Sequence, residues 1–179
     1  MLGPSSLLLG MTNVVAPRGG RPHVLAPPQE RPMASIHDSE YCRALRARVD
    51  KLEPSTQHRW GEMSVDQMLW HLNGSISLGL GKLRAAPFKP PLPLALMVPF
   101  ALYMPFPKGK AMTIPELRAT GQYDFGAERA RFHSLIEEFA LKPLHFNWLD
   151  HPMFGRLSGP SWSRIAARHI DHHLRQFGV

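Results

Sequence analysis

Three histidines, His169, His172 and His173, fall within five positions near the C-terminus. They belong to the run Ser161–Phe177, which contains no proline or glycine and therefore favours a helix. On a helix, His169 and His173 lie one turn apart on the same face. Two imidazoles at this spacing can hold one metal ion from a single rigid element, provided that another element supplies at least one further ligand.

That further ligand is predicted on an earlier helix. Ser64, followed three residues later by Gln67, has the form of a capping box, which starts a helix at a definable place. The apolar stripe of this helix carries His71 into the interior. The predicted metal ligands are therefore His71, His169 and His173, a facial set of neutral imidazoles with open positions for water or substrate.

A simpler interpretation competes with the metal site. A single inward histidine is more often a core residue with hydrogen-bond partners than a metal ligand. Three buried histidines without a metal would need three sets of such partners, and the inward stripes of the two helices supply few polar groups. The i, i+4 pair together with a third histidine on a facing helix therefore favours a metal site.

Two other histidines are candidates for different roles. His172 is turned by about one residue step from the predicted pair, so we expect it beside the ligands or at the surface. His151 lies in a loop before Pro152 and is the candidate catalytic residue, as a proton shuttle near neutral pH. The alternative for His151 is a structural loop histidine. Ser-His-Asp spacing, a Gly-rich phosphate loop and an HExxH motif are all lacking, which disfavours a metal-free hydrolase.

Four amphipathic helices are predicted to position these residues, and no segment alternates with a period of two. They span residues 38–53, from Ser64 toward Lys82, from Ala127 to just before Pro143, and from a cap at Ser158 or Ser161 to the C-terminus. The long connection between the second and third helices indicates an all-α fold, a compact four-helix bundle with one crossover between helices two and three.

The last helix has two distinct faces. The predicted inward face carries Trp162, Ile165 or Ala166, His169, His173, and Gln176 or Phe177. The opposite face carries Arg164, Arg168, Asp171 and Arg175. Pairs of opposite charge at helical spacing suit a solvent-exposed surface, so we predict that the second face is solvated.

The chain of 179 residues suggests one domain, and its hydrophobic share of 44% and charged share of 20% are typical of a soluble globular protein. Residues 1–34 are expected to be a disordered or over-extended N-terminal tail, and residues 35–179 the domain. A Pro-rich insertion covers about 85–115. Within it, Leu92–Met104 is apolar but too short and too proline-rich for a membrane span, so we expect a buried crossover or a lid over a pocket.

Charge and cysteine content exclude other classes. A net charge of +7 suggests nucleic-acid binding, but the basic residues are scattered and acidic residues lie among them, so a solvated helix face explains them better and we expect no nucleic-acid partner. The only cysteine, Cys42, excludes an internal disulfide framework and fits a cytoplasmic location. We expect Cys42 to be a packed small residue rather than a nucleophile.

Several motifs match a known family. They are Arg59-Trp60-Gly61, Met68–Leu72, the turn Pro107–Gly109, His151–Gly155, and Trp162 with His169–Phe177. Together they resemble the DinB-like superfamily, and more narrowly one of its bacterial branches of unknown function. The resemblance covers about Ser35 to the C-terminus and is most specific in the last motif.

The resemblance implies a four-helix bundle, often dimeric, with a divalent metal ion (zinc, nickel, iron or manganese) on a histidine triad. The family's ligand from the second helix falls on His71, and its HxxxH pair falls on His169 and His173. Characterised relatives include S-transferases that use the thiols bacillithiol or mycothiol, a maleylpyruvate isomerase, and the iron-binding domain of sulfoxide synthases. The Pro-rich insertion departs from the family pattern, so substrate specificity does not carry over.

Two functions follow as expectations. The first is a divalent-metal-dependent enzyme, with S-transferase, hydrolase or isomerase chemistry on a small-molecule substrate and a low-molecular-weight thiol as a candidate partner. It would act as a homodimer, with no membrane partner. The second is a non-catalytic module that binds a small apolar ligand and holds a structural metal ion.

Overall fold

The computed structural model describes residues 34–88, 93–109 and 113–179, and this part of the chain is all-α, without β-strands. It contains five α-helices and a short 3-10 helix. The helices are α1 (Ser39–Val49), α2 (Val65–Gly79), α3 (Leu94–Tyr103), α4 (Phe125–Leu141) and α5 (Gly159–Gln176), and the 3-10 helix is Pro115–Leu117. The tail predicted for residues 1–34 lies outside the described residues, apart from Ala34.

Local sequence signals explain where the helices begin. The carboxylate of Asp38 accepts a hydrogen bond from the backbone N–H of Tyr41 at the start of α1. At the start of α2, the side-chain oxygen of Gln67 accepts from the backbone N–H of Ser64, 3.1 Å away, as the capping-box pattern predicts. The hydroxyl of Ser158 caps α5. The predicted helices one to four correspond to α1, α2, α4 and α5.

The core forms where four of the helices meet. Both α1 and α2 pack against α4 and α5, which brings the apolar stripes of all four helices together. The largest fully buried side chains include Phe132, Phe139, Leu69, Leu72 and Leu174. Cys42 is also buried, and burial raises the pKa of its thiol, which agrees with a packed residue. No helix in the described part of the chain has the length and apolar content needed to cross a membrane.

The Pro-rich insertion contains a helix that the sequence interpretation did not assign. Helix α3 begins directly after Pro93 and contains Pro99, which lacks the N–H needed for one helical hydrogen bond. Its C-terminal carbonyls find partners on α5, because Arg164 Nε donates to Leu102 O at 2.9 Å and Arg168 Nε donates to Ala101 O at 3.0 Å. Tertiary hydrogen bonds therefore satisfy carbonyls at this helix end.

The prediction that the charged face of the last helix is solvated is wrong for Arg164, Arg168 and Asp171, whereas Arg175 is exposed. Arg164 and Arg168 contact α3, as described above. Asp171 forms an ion pair with Arg48 of α1 at 2.7 Å and another with Arg175 at 3.0 Å. Both faces of α5 therefore make tertiary contacts: one carries the histidines, and the other bonds to α3 and α1.

Removing the cap of α5 should cost stability. In Ser158→Ala, the backbone N–H of Ser161 loses its side-chain acceptor, so the free energy of unfolding should fall by about 1 kcal/mol. Urea unfolding of the two proteins would measure this difference. Ser161→Ala is the control, because the Ser161 hydroxyl contacts only the Ser158 hydroxyl at 2.9 Å and should matter less. Equal losses in the two variants would contradict the assignment of Ser158 as the cap.

Candidate metal centre

The structure brings His71, His169 and His173 together between α2 and α5. Nε2 of His169 lies 3.0 Å from Nε2 of His71 and 3.1 Å from Nε2 of His173. All three ligand nitrogens lie within 4.8 Å of one another. The side chains of His71 and His173 are buried, with exposed fractions of 5% and 8%, and His169 is partly buried. The prediction that His169 and His173 share a face of the helix and that His172 is turned away from it therefore agrees with the geometry.

The outer nitrogen of each ring has its own partner. Nδ1 of His71 lies 2.8 Å from the carbonyl oxygen of Leu117, at the end of the 3-10 helix. Nδ1 of His173 lies 2.8 Å from the amide oxygen of Gln176. Both oxygens can only accept, so each Nδ1 must carry a proton and each Nε2 presents a lone pair. Nδ1 of His169 lies 3.1 Å from the Ser75 hydroxyl, which can donate or accept.

The inner contacts are difficult to satisfy without a cation. If Nε2 of His169 carries a proton, that single proton faces the lone pairs of both His71 and His173. If it carries none, three lone pairs converge at hydrogen-bond distance and repel one another. A metal ion accepts all three lone pairs at once, and outer contacts of this kind are typical of metal-bound histidines.

The spacing of the nitrogens also suits a metal. With metal–nitrogen bonds of about 2.1 Å, adjacent ligands lie about 3.0 Å apart in an octahedral site and about 3.4 Å apart in a tetrahedral one. The two short separations in this cluster, 3.0 and 3.1 Å, are in the range expected for ligands of one metal ion, and the third pair lies within 4.8 Å. Among the described residues, no cysteine, carboxylate or further histidine joins the group. Three protein ligands leave coordination positions open.

Burial keeps the three imidazoles in the state that metal binding requires. Burial lowers the pKa of His71, against a smaller opposing effect of the Leu117 carbonyl. It lowers the pKa of His173 to about 3, and the positive charge that His71 would carry acts in the same direction. The pKa of His169 falls well below its usual value, first through burial and then through the neighbouring histidines. All three rings are therefore neutral at pH 7.

A cavity of about 1450 Å³ reaches the three histidines. Its walls are largely apolar, and α3 forms part of one wall through Leu96, Met97, Phe100 and Ala101. The Pro-rich insertion thus borders the space in front of the histidine cluster. This position corresponds to the lid alternative that the sequence suggested for Leu92–Met104, within the described residues 93–104. Apolar walls around a few convergent polar groups are typical of small-molecule sites.

The remaining candidate histidines also border this cavity. Nδ1 of His151 accepts a hydrogen bond from the backbone N–H of Met153 at 3.1 Å, and its ring packs against Trp162 with centroids 4.9 Å apart. Burial lowers the pKa of His151 to about 4, so at pH 7 the ring is neutral and Nε2 carries the proton. His172 is half-buried between Trp60 and Phe106 and does not belong to the cluster of His71, His169 and His173.

Comparison with known proteins shows which family the chain belongs to. The family described as a protein of unknown function (DUF1569) matches residues 36–178, which is most of the chain and all of the candidate site. The chain belongs to the DUF1569 family. No curated protein and no solved structure matches it. The match therefore gives this DUF1569 protein relatives but no activity, and any function must be argued from its site.

The sequence could have revealed some of the outer contacts of this DUF1569 site. Ser75 lies four residues after His71 and Gln176 lies three residues after His173, so each shares a helix face with a ligand. The sequence interpretation placed Gln176 or Phe177 on the inward face of the last helix without assigning either a role. The Leu117 carbonyl is a backbone atom from a distant segment, and no side-chain pattern could point to it.

Proposed function

We propose that this protein binds a divalent metal ion through Nε2 of His71, His169 and His173. One observation carries the proposal: two of the three Nε2 atoms are fixed as lone pairs by their outer contacts, and both face the third at 3.0 to 3.1 Å. Neutral imidazoles suit zinc, nickel, iron and manganese to different degrees, and the ligand set does not select one of them.

We further propose that the site is catalytic rather than structural. Structural zinc sites are closed by four protein ligands, whereas this cluster has three among the described residues and faces a cavity. A divalent ion held here would act as a Lewis acid that lowers the pKa of a bound thiol or water. The protein would bind an apolar small-molecule substrate along the α3 wall and exclude water from the reacting groups.

His151 fits a different role from the proton shuttle expected from the sequence. Its neutral ring offers an Nε2–H, because Nδ1 is already the acceptor for Met153 N–H. We propose that this N–H donates a hydrogen bond to the substrate, which fixes the orientation of a polar group in an apolar pocket. Stabilising negative charge on that group would be the corresponding contribution to catalysis.

The finer parts of the proposal rest on the resemblance to the DinB-like superfamily. We propose that α1, α2, α4 and α5 form its four-helix bundle, with the connection that contains α3 as the crossover. Thiol-dependent S-transfer is the favoured reaction, with a low-molecular-weight thiol as co-substrate, in a cytoplasmic homodimer. Support comes from the three histidines that lie together and from the cavity beside them.

A non-catalytic binding module is the second candidate, and the size of the apolar cavity favours it. In that case the metal would be structural, and a fourth ligand would have to close its coordination. The number of protein ligands around a bound Co²⁺ ion, from its visible absorption spectrum, would separate the two candidates. Intense tetrahedral bands that do not respond to added azide or thiol would indicate a closed, structural site.

Metal analysis of protein purified without an affinity tag tests the site itself. We expect about one equivalent of a divalent metal per chain in the wild type, because three preorganised neutral imidazoles bind such ions well. The double variant His169→Ala, His173→Ala should retain less than a tenth of it, since a single imidazole remains. Equal metal content in both proteins, or none in the wild type after metal supplementation, would refute the proposal.

A further inference from the structure

Gln176, the last residue of α5, supplies the outer partner of His173, and both ends of its amide make hydrogen bonds. Its exposed fraction is 4%. The amide oxygen accepts from Nδ1–H of His173 at 2.8 Å, and the amide nitrogen donates to the carbonyl oxygen of Trp60 at 2.7 Å. A carbonyl oxygen cannot donate, so the Trp60 contact prevents the amide from flipping. The oxygen must therefore face His173.

The segment that holds Gln176 has little freedom. Gly61 has φ +86°, a left-handed conformation that favours glycine, and a Cβ built on it would lie 2.5 Å from the amide nitrogen of Gln176. The backbone N–H of Arg59 donates to the carbonyl oxygen of Gln176 at 2.7 Å. Main chain and side chain of Gln176 are thus both fixed by Arg59–Gly61. These contacts hold the amide in one geometry.

We propose that Gln176 is the positioning residue of the metal centre: fixed by Trp60 and Gly61, it sets the tautomer and orientation of His173 so that Nε2 faces the ion. This inference rests on the proposed function, because positioning matters only if His173 is a ligand. The amide oxygen can only accept a hydrogen bond, so Nδ1 of His173 must carry the proton. The lone pair is then on Nε2. Outer partners of metal-bound histidines commonly contribute in this way.

The competing explanation is that Gln176 only ties the Arg59–Gly61 segment to the end of α5. The two explanations differ in the metal-free protein. The free histidine side chain favours the tautomer protonated on Nε2, so His173 needs Gln176 to keep its proton on Nδ1. If Gln176 has only this structural role, the tautomer of His173 should be unchanged when Gln176 is replaced.

The test uses Gln176→Met, which keeps the length and bulk of the side chain but removes the amide. Nitrogen-15 NMR of the metal-free proteins at neutral pH reports which ring nitrogen of His173 is protonated. We expect Nδ1 protonation in the wild type and a mixture in the variant. Zinc affinity, measured by competition with a chromophoric chelator, should fall about 10- to 100-fold.

A second variant keeps the test informative if the first one folds poorly. Gly61→Ala leaves Gln176 in place but displaces its amide, so it should shift the tautomer and the zinc affinity in the same direction. Ile170→Val is the control, because it removes one core methyl group of α5, which lowers stability, and should leave both readouts unchanged. Urea unfolding of each metal-free variant separates stability from positioning.

The outcomes distinguish the two proposals. If the wild type binds zinc and both variants keep its tautomer and its affinity within twofold, Gln176 is not a positioning residue, and the metal site still stands. If the wild type does not bind zinc at all, the proposed function fails and this inference fails with it. A tautomer shift accompanied by weaker zinc binding in the variants, with neither change in Ile170→Val, supports the inference.

Discussion

Replacing His71 with alanine should lower zinc affinity at least 100-fold, the largest effect expected from a single ligand substitution. His169 and His173 both belong to α5, whereas His71 is the ligand that comes from α2. Without it, the ion would be held by two imidazoles one turn apart on one helix. The metal would then no longer join α2 to α5, and its binding energy would no longer stabilise the packing between them.

The stabilisation by zinc gives a quantitative readout. At free zinc 100 times the dissociation constant, a ligand that binds only the folded state stabilises it by about 2.7 kcal/mol. If His71→Ala weakens binding 100-fold, the same zinc concentration stabilises the variant by only about 0.4 kcal/mol. Thermal unfolding with and without zinc measures both values. Each protein is compared with its own metal-free form, because losing the His71 contact leaves the Leu117 carbonyl without its partner and costs stability by itself.

His145→Ala is the matched control, because His145 is an exposed loop histidine away from the cluster. It removes one imidazole from the chain and should leave the zinc response of the wild type intact. A loss of the zinc response in His145→Ala would indicate nonspecific binding to surface histidines. Wild-type affinity in His71→Ala would show that His71 is a core residue and not a ligand.

The histidine cluster could be predicted from the sequence because helical geometry determines it. The i, i+4 spacing puts His169 and His173 on one face whatever the rest of the chain does. The capping residues at Ser64 and the apolar stripe give α2 a start and an inward face, and His71 lies on that face. These signals are local, so they can be recognised without knowledge of the tertiary structure. Whether a metal binds there stays a prediction.

Features that depend on distant segments could not be predicted. Helix α3 contains Pro99, and two arginines of α5, more than sixty residues later, bond to carbonyls at its C-terminal end. The same contacts overturned the solvated face expected for Arg164 and Arg168. The orientation of Gln176 depends on the Trp60 carbonyl, and the tautomer of His71 depends on the Leu117 carbonyl. Backbone acceptors carry no side-chain signature, so sequence patterns do not reveal them.

Replacing Gly159 with alanine should cost about 3 kcal/mol of stability, at the upper end for an overpacking substitution. Gly159 is the first residue of α5, and a Cβ built on it would lie 1.8 Å from the carbonyl oxygen of Leu144 and 2.8 Å from Nε1 of Trp148. The nearest obstacle is backbone, which cannot rotate away as a side chain can. The start of α5 and the loop 144–148 would have to separate.

Gly126→Ala provides the matched control, since Gly126 is the second residue of α4 and its added Cβ meets only Asp124 Oδ1 at 3.3 Å. Alanine is favoured over glycine within helices by up to about 1 kcal/mol, so this variant should be as stable as the wild type or slightly more stable. Urea unfolding should therefore show a clear loss of stability for Gly159→Ala and no loss for Gly126→Ala. If Gly159→Ala were also neutral or stabilising, the close approach of α5 to Leu144 would be refuted.

The Gly159 substitution also bears on the metal site. The contact with Leu144 fixes the position of α5 at its N-terminus, and His169 and His173 lie about three and four turns further along the same helix. A shift of the helix start would therefore move both imidazoles relative to His71 on α2. Under conditions in which Gly159→Ala remains folded, its zinc affinity should be lower than that of the wild type, whereas Gly126→Ala should keep wild-type affinity. Reduced stability with unchanged zinc affinity would show that α5 is held in place near the histidines by its other contacts, those with Arg48, α3 and Arg59–Gly61.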